Sequence, residues 1–248
     1  MRNTFKKTTF LLLALVITLA MFAPTMAIAE ESQSANTVMI TFNANGGSGT
    51  TTRWLTPGEP FGTLPMPSRS NHTFIGWFTT SASSGGQQIH PNTLVPNGNT
   101  TYWARWAQHQ STTLTHTGSM MITGMPPLTT DSNWITFNGN TIPANARVLS
   151  ISVNTGSSTM SGAIVGNNLQ VNSTAGGGTL TMPWNGANNS VLNNNQHFTD
   201  LPARGTYSIR WNGTVISGTP GNLFDPRPTP AIRGYSNVRL TVHFVVIP

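Results

Sequence analysis

Five Asn-Gly pairs punctuate this chain, at Asn45-Gly46, Asn97-Gly98, Asn138-Gly139, Asn185-Gly186 and Asn212-Gly213. Asn-Gly suits the positive φ angles that tight hairpin turns impose. Between these pairs short runs are rich in Thr, Val and Ile, with apolar residues at every second position. No stretch after residue 29 sustains a helical period. The chain therefore reads as mainly β, with room for a helix of one or two turns near Thr93 or Ser190.

The alternation assigns faces. Val38, Ile40 and Phe42 alternate with Met39, Thr41 and Asn43, the pattern of a half-buried strand. Thr50–Leu55 and Phe74–Thr79 read as the next strands, separated by Pro57-Gly58 and the extended Leu64-Pro65-Met66-Pro67. In Thr100–Trp106, Tyr102, Ala104 and Trp106 share one face, while Trp103 and Arg105 share the other. Further on, Tyr207, Ile209 and Trp211 alternate with Ser208, Arg210 and Asn212. The terminal run sets Val238, Leu240, Val242, Phe244 and Val246 against Arg239, Thr241 and His243. So long an apolar strand would template aggregation at a sheet edge, so a central position is expected.

Arg2, Lys6 and Lys7 precede the apolar run Phe10–Phe22, then Pro24 and Ala27-Ile-Ala29. This is the plan of a secretory signal peptide over 1–29, with cleavage after Ala29. The run is too short for the ~20 residues of a spanning helix, and no later segment is long enough either. Residues 30–36 read as a disordered leader. Of the 12 cations, the three before residue 29 leave with the signal; nine arginines then face six acids, a net of +3. Those arginines are scattered singly, so the basic patch of a nucleic-acid binder is missing. The chain has no cysteine. That excludes thiolate catalysis and thiolate metal sites, and suits a bacterial, Gram-positive export route better than a disulfide-stapled animal one.

Composition and order divide the rest into 37–107, a polar linker 108–113, and 114–248. The first of these resembles the internalin-type B repeat, or Listeria–Bacteroides repeat. The resemblance is carried by Val38-Met-Ile-Thr-Phe-Asn-Ala-Asn-Gly-Gly47, Gly62-Thr-Leu-Pro-Met-Pro67, Phe74-Ile-Gly-Trp-Phe78 and Tyr102-Trp-Ala-Arg-Trp106, in family order. It implies a small ubiquitin-like β-grasp module of secreted and surface-bound bacterial proteins, acting as spacer or protein contact, with no catalytic residues to transfer. Two features depart from the family: the second strand is uncharged from Ser48 to Thr52, and there is one copy rather than an array. Gly76 is expected to make room for a neighbouring ring or backbone. Trp54, Trp103 and Arg105 are either an exposed contact patch or packing groups. For 114–248 the many short strands and regular turns suggest a β-sandwich or jelly roll.

Catalytic patterns are sparse. The six histidines lack His-x-x-x-His or His-Glu-x-x-His spacing, and no Gly-x-Ser-x-Gly elbow occurs. Gly176-Gly177-Gly178 lacks the Lys-Ser/Thr of a phosphate loop. A pairing of His197 with Asp200 is imaginable, but Asp200, before Leu201-Pro202, and Asp225, before Pro226, read as turn formers. No cofactor or metal is expected. The Asn-rich run after Trp184 invites a sugar site with Trp184 or Trp211 as stacking ring; the competing reading is a solvated loop with one anchoring ring. The expectation is thus a secreted, non-catalytic protein, extracellular or held non-covalently at the cell envelope, that mediates adhesion or protein interaction there. The alternatives are a carbohydrate-binding module and a subunit that self-assembles through strand edges. The partner would be a protein or glycan at the cell surface, not nucleic acid.

Overall fold

The computed structural model describes residues 36–221 and 225–247. The expected signal peptide and its cleavage point at Ala29 lie outside the described residues, as does all of the leader except Asn36. Among the described residues every regular element is a strand, so neither short helix expected near Thr93 or Ser190 is present.

The first half holds β1 (Val38–Asn43), β2 (Thr51–Leu55), β3 (His72–Phe78), β4 (Gln88–Ile89) and the start of β5 (Thr100–Thr115). Asn45 and Gly46 take φ of 48° and 87°, which closes the β1–β2 hairpin and pairs Met39 with Trp54 and Thr41 with Thr52. β1 then runs parallel to β5, and β5 runs antiparallel to β3, giving the order β2-β1-β5-β3. Thr56–Asn71 joins β2 to β3 as irregular chain. Backbone bonds from Phe61 to Thr93 and from Val95 to Glu59 pin that chain to the loop after β4. Val38, Ile40, Phe42, Phe61, Trp77, Ile89, Val95, Tyr102 and Ala104 form the core. Its rings meet edge to face, Phe42 with Trp77 at 5.1 Å and Phe61 with Tyr102 at 5.4 Å, the arrangement their quadrupoles favour. The Trp77 indole donates to Pro65 O at 2.9 Å and the Trp106 indole to Ala44 O at 2.9 Å, so two tryptophans tie irregular chain to the sheet. Gly76, at φ 151° beside a β-bulge, is filled differently from the expectation: a Cβ there would lie 2.4 Å from the Gln88 amide, which donates to Ile75 O.

Gln108–Thr113 is strand rather than linker. β5 continues through it to Thr115 and pairs with the last strand, β16 (Arg239–Val246), from His109↔Val245 to Thr115↔Arg239. Residues 108–111 are exposed on both faces. They lie between two cores, so burial asks for no apolar side chains there, and the backbone ladder alone sets the conformation. This is why a polar composition disguised a strand.

The second half adds β6 (Met120–Gly124), β7 (Leu128–Asp131), β8 (Ile135–Asn138), β9 (Ala146–Asn154), β10 (Ser157–Ser161), β11 (Ala163–Ser173), β12 (Leu180–Pro183), β13 (Val191–Asn194), β14 (Thr206–Ser217) and β15 (Ala231–Ser236). β13-β9-β16-β5 form one layer, continuous through β5 with the first half's sheet. β16 is central between β9 and β5, as its apolar run requires. A five-stranded sheet, β12-β11-β14-β7 with β8 also on β14, and a three-stranded sheet, β10-β15-β6, complete a sandwich-like arrangement. A single large core collects the inward positions of all three sheets.

Candidate functional site

The two tryptophans expected to stack on a ligand are core residues. Trp211 is 0% exposed and Trp184 6%. Their rings pack together with Tyr235, at centroid separations of 6.0 Å between the indoles and 4.6 and 5.2 Å to the phenol. The Trp211 indole donates to Met120 O at 3.1 Å and that of Trp184 to Ala187 O at 3.2 Å. Neither offers a face to a sugar. The physical reason is parity: Trp211 lies on the inward face of β14 with Tyr207 and Ile209. Gly186, at φ 84°, turns the chain after Trp184 inward, where its carbonyl accepts from Tyr235 and Arg233. Burial pushes the Tyr207 and Tyr235 hydroxyls up to about 12, so both remain neutral hydrogen-bond donors.

Trp54, Trp103 and Arg105 do not form one patch. Trp54 is 65% exposed on the edge strand β2, and Trp103 is half-buried. Arg105 is 8% exposed; its guanidinium lies 3.6 Å from the Phe78 ring centre and donates to Ala82 O and Gly85 O. It packs the Gly/Ser loop onto the module. His197 stacks edge-on against Phe198, and Asp200 occupies a turn at φ 64°. Asp225 is held in a fork by Arg227, whose hydrogen bonds lower its pKa. Among the described residues no group of three or more His, Cys, Asp or Glu could hold a metal ion, and no helix is long and apolar enough to cross a membrane. An open groove of about 670 Å³ lies beside the first hairpin, lined by Gly46–Ser48 and Ser68–Ser70.

A denser polar arrangement lies where no motif pointed, on the solvent face of the five-stranded sheet. Ser208, Arg210, Asn212 and Thr214 face outward from β14, whose inward positions are buried. Arg210 is fixed on three sides. Its guanidinium pairs with Asp131 at 2.8 Å, its Nε donates to Gln170 Oε1 at 2.8 Å, and its plane lies 4.4 Å from the Trp134 ring centre. Asn212 donates to Asp131 at 2.8 Å and accepts from Asn167 at 2.9 Å. Thr136 meets Ser208 at 3.4 Å, and beside them Asn172, Ser173, Thr174, Thr206 and Ser208 line a hollow of about 130 Å³. Trp134 is 38% exposed, a large ring among the polar groups around Arg210; the exposed Val165 and Ile216 lie farther along the same face. The alternation in Trp134-Ile-Thr-Phe137 was the sequence signal for it.

These features describe an all-β protein with a small mixed-sheet module joined to a sandwich. Residues 39–105 match the family model of the Listeria-Bacteroides repeat domain, a type of domain found in bacterial surface and extracellular proteins. The match covers the module and bears out the resemblance carried by its motifs. A search of the curated proteins found no match. Among solved structures, a chain of the structure of infectious bursal disease virus Gx strain aligns at 9% identity over 66% of this chain and 45% of its own length, with a TM-score of 0.26. The alignment spans less than half of that viral chain, and so low a score carries no argument.

Proposed function

We propose that this is a secreted, non-catalytic protein of the bacterial envelope or its surroundings that works by adhesion or protein interaction. The observation that carries this reading is the repeat-domain match over residues 39–105. The order β2-β1-β5-β3 with its parallel β1–β5 pair supports a β-grasp arrangement for the module, with irregular chain in place of a helix. Because β5 belongs to both halves, the module would hold the sandwich out as a rigid unit instead of tethering it on a hinge. The scarcity of acid–base groups favours binding over turnover: His197 and Asp200 serve a ring contact and a turn.

Expression of the full chain in a Gram-positive host tests this reading. The expected product starts at Glu30, appears in the culture fluid or is released from the wall by high salt, and sediments with added cells. Retention in the cytosol would overturn the reading. So would a hydrolase screen showing turnover that disappears in His197→Ala or Asp200→Asn.

A further inference from the structure

We infer that the solvent face of the five-stranded sheet is a binding site for a neutral polysaccharide, with Trp134 as its stacking ring. Three neighbouring strands bring six side chains into two rows. The register sets Asn172 beside Ser208 beside Thr136, and Gln170 beside Arg210, which carries Trp134. Strand spacing and rise make this patch about 10 Å by about 7 Å. It is hollow at the Ser208 row, where the cavity of about 130 Å³ opens. An elongated ligand can lie on the first row and drop a substituent into the second.

The charge on this face identifies the occupant. Its one cation, Arg210, is already paired with its one anion, Asp131, and the groups beside this pair and Trp134 are amides and hydroxyls, Val165 and Ile216 being exposed farther along the sheet. Nothing remains to attract an ion, and a nucleic acid needs uncompensated cations. A protein partner would favour an apolar centre with aromatic anchors, whereas here a single ring stands among polar groups. A saccharide fits both components: its hydroxyls exchange hydrogen bonds with amides and carboxylate, and its C–H face stacks on an indole. The site is also preorganised. Arg210, Asp131, Asn212 and Gln170 hold one another at 2.8 Å, so ligand binding need not order them, which lowers the entropy lost.

The inference rests on the reading of this chain as a non-catalytic binding protein and supplies its ligand class. The test is affinity electrophoresis of the purified protein through gels containing a β-glucan, a xylan, a galactomannan or an α-glucan, followed by titration calorimetry on the strongest. Retardation in at least one gel is expected, unchanged between 0.05 and 0.5 M salt as roughly the range over which charge contacts are screened. Trp134→Ala should weaken binding at least tenfold. Ser208→Arg, which fills the hollow, should do the same and carries the test if circular dichroism shows Trp134→Ala to be misfolded. Trp54→Ala, in the other half, should leave binding intact. Absence of retardation in every gel overturns the inference, as does binding that survives both Trp134→Ala and Ser208→Arg or that vanishes with salt. If the protein still sediments with cells while ignoring all four polymers, the glycan site falls and the envelope-binding reading stands; failure of both assays removes both.

Discussion

The repeat module's core cluster holds nine buried apolar residues, whereas that of the sandwich gathers twenty-eight. The module offsets its small core with large rings and with indole N–H groups that tie irregular chain to the sheet. The sandwich instead closes three sheets over one another, so it can leave much of one sheet face polar. Small cores are marginal when isolated, and the module's sheet is continuous with the larger one through β5. The difference suggests that the module draws order from its neighbour through backbone pairing, since none of the bridging residues 108–111 belongs to either core.

The largest expected effect separates the cores. Trp77→Ala and Trp211→Ala each remove a fully buried indole and should each cost about 3–5 kcal/mol. Each also removes an indole donor, from Pro65 O and Met120 O respectively. In the module that loss is comparable with all the stability such a core can supply, so Trp77→Ala should make residues 38–107 sensitive to protease at 25 °C while the sandwich resists. Trp211→Ala should lower the sandwich's denaturant midpoint but leave it folded. A Trp77→Ala module as resistant as the parent would refute the contrast between the halves.

Much of this division was legible in the sequence. The ordered motifs located the module, and alternation gave the faces of β1, β14 and β16, including the central place of β16. The same parity, applied to Trp211, already put it inward with Tyr207 and Ile209 and put Arg210 outward. The sugar reading went to Trp184 and Trp211 because asparagines surround Trp184, yet composition near a ring does not decide where the ring points. The polar site could not be read locally. Asp131 and Trp134, Gln170, and Arg210 come from three separate stretches of chain, and only the registers of β14 with β11, β7 and β8 assemble them. The linker reading failed for a related reason: composition reports burial, and a strand ordered by its ladder alone has none to report.

A middle-sized effect sharpens the role of that ladder. Successive residues of a strand point their N–H groups to opposite sides, and at Gln110 and Ser111 β5 pairs with β16 on one side. Of Gln110→Pro and Ser111→Pro, one should delete a ladder bond and cost about 1–3 kcal/mol, while the other is tolerated as on an edge strand. The damaging variant should uncouple the halves, splitting one thermal transition into two. Equal tolerance of both prolines would mean that the bridge behaves as the linker its composition suggested.

The smallest effect lies at the same junction. The His109 ring shares a hydrogen bond with Thr73 at 3.0 Å, across the β5–β3 pair. Partial burial, and secondarily the positive charge of His72, hold its pKa below the ordinary 6.5. The folded state therefore resists a proton that the unfolded chain accepts. The associated stability is fully present above pH 6.5 and is lost as pH falls through the lowered pKa of the folded state. Melting curves between pH 7.5 and 5 should show the parent losing more stability than His109→Gln. His72→Gln should remove only part of the difference, because burial is the larger cause. A parent that gains stability on acidification relative to His109→Gln would reverse the sign and show that the junction prefers the imidazolium, making His109 a clamp at low pH instead of a weak point.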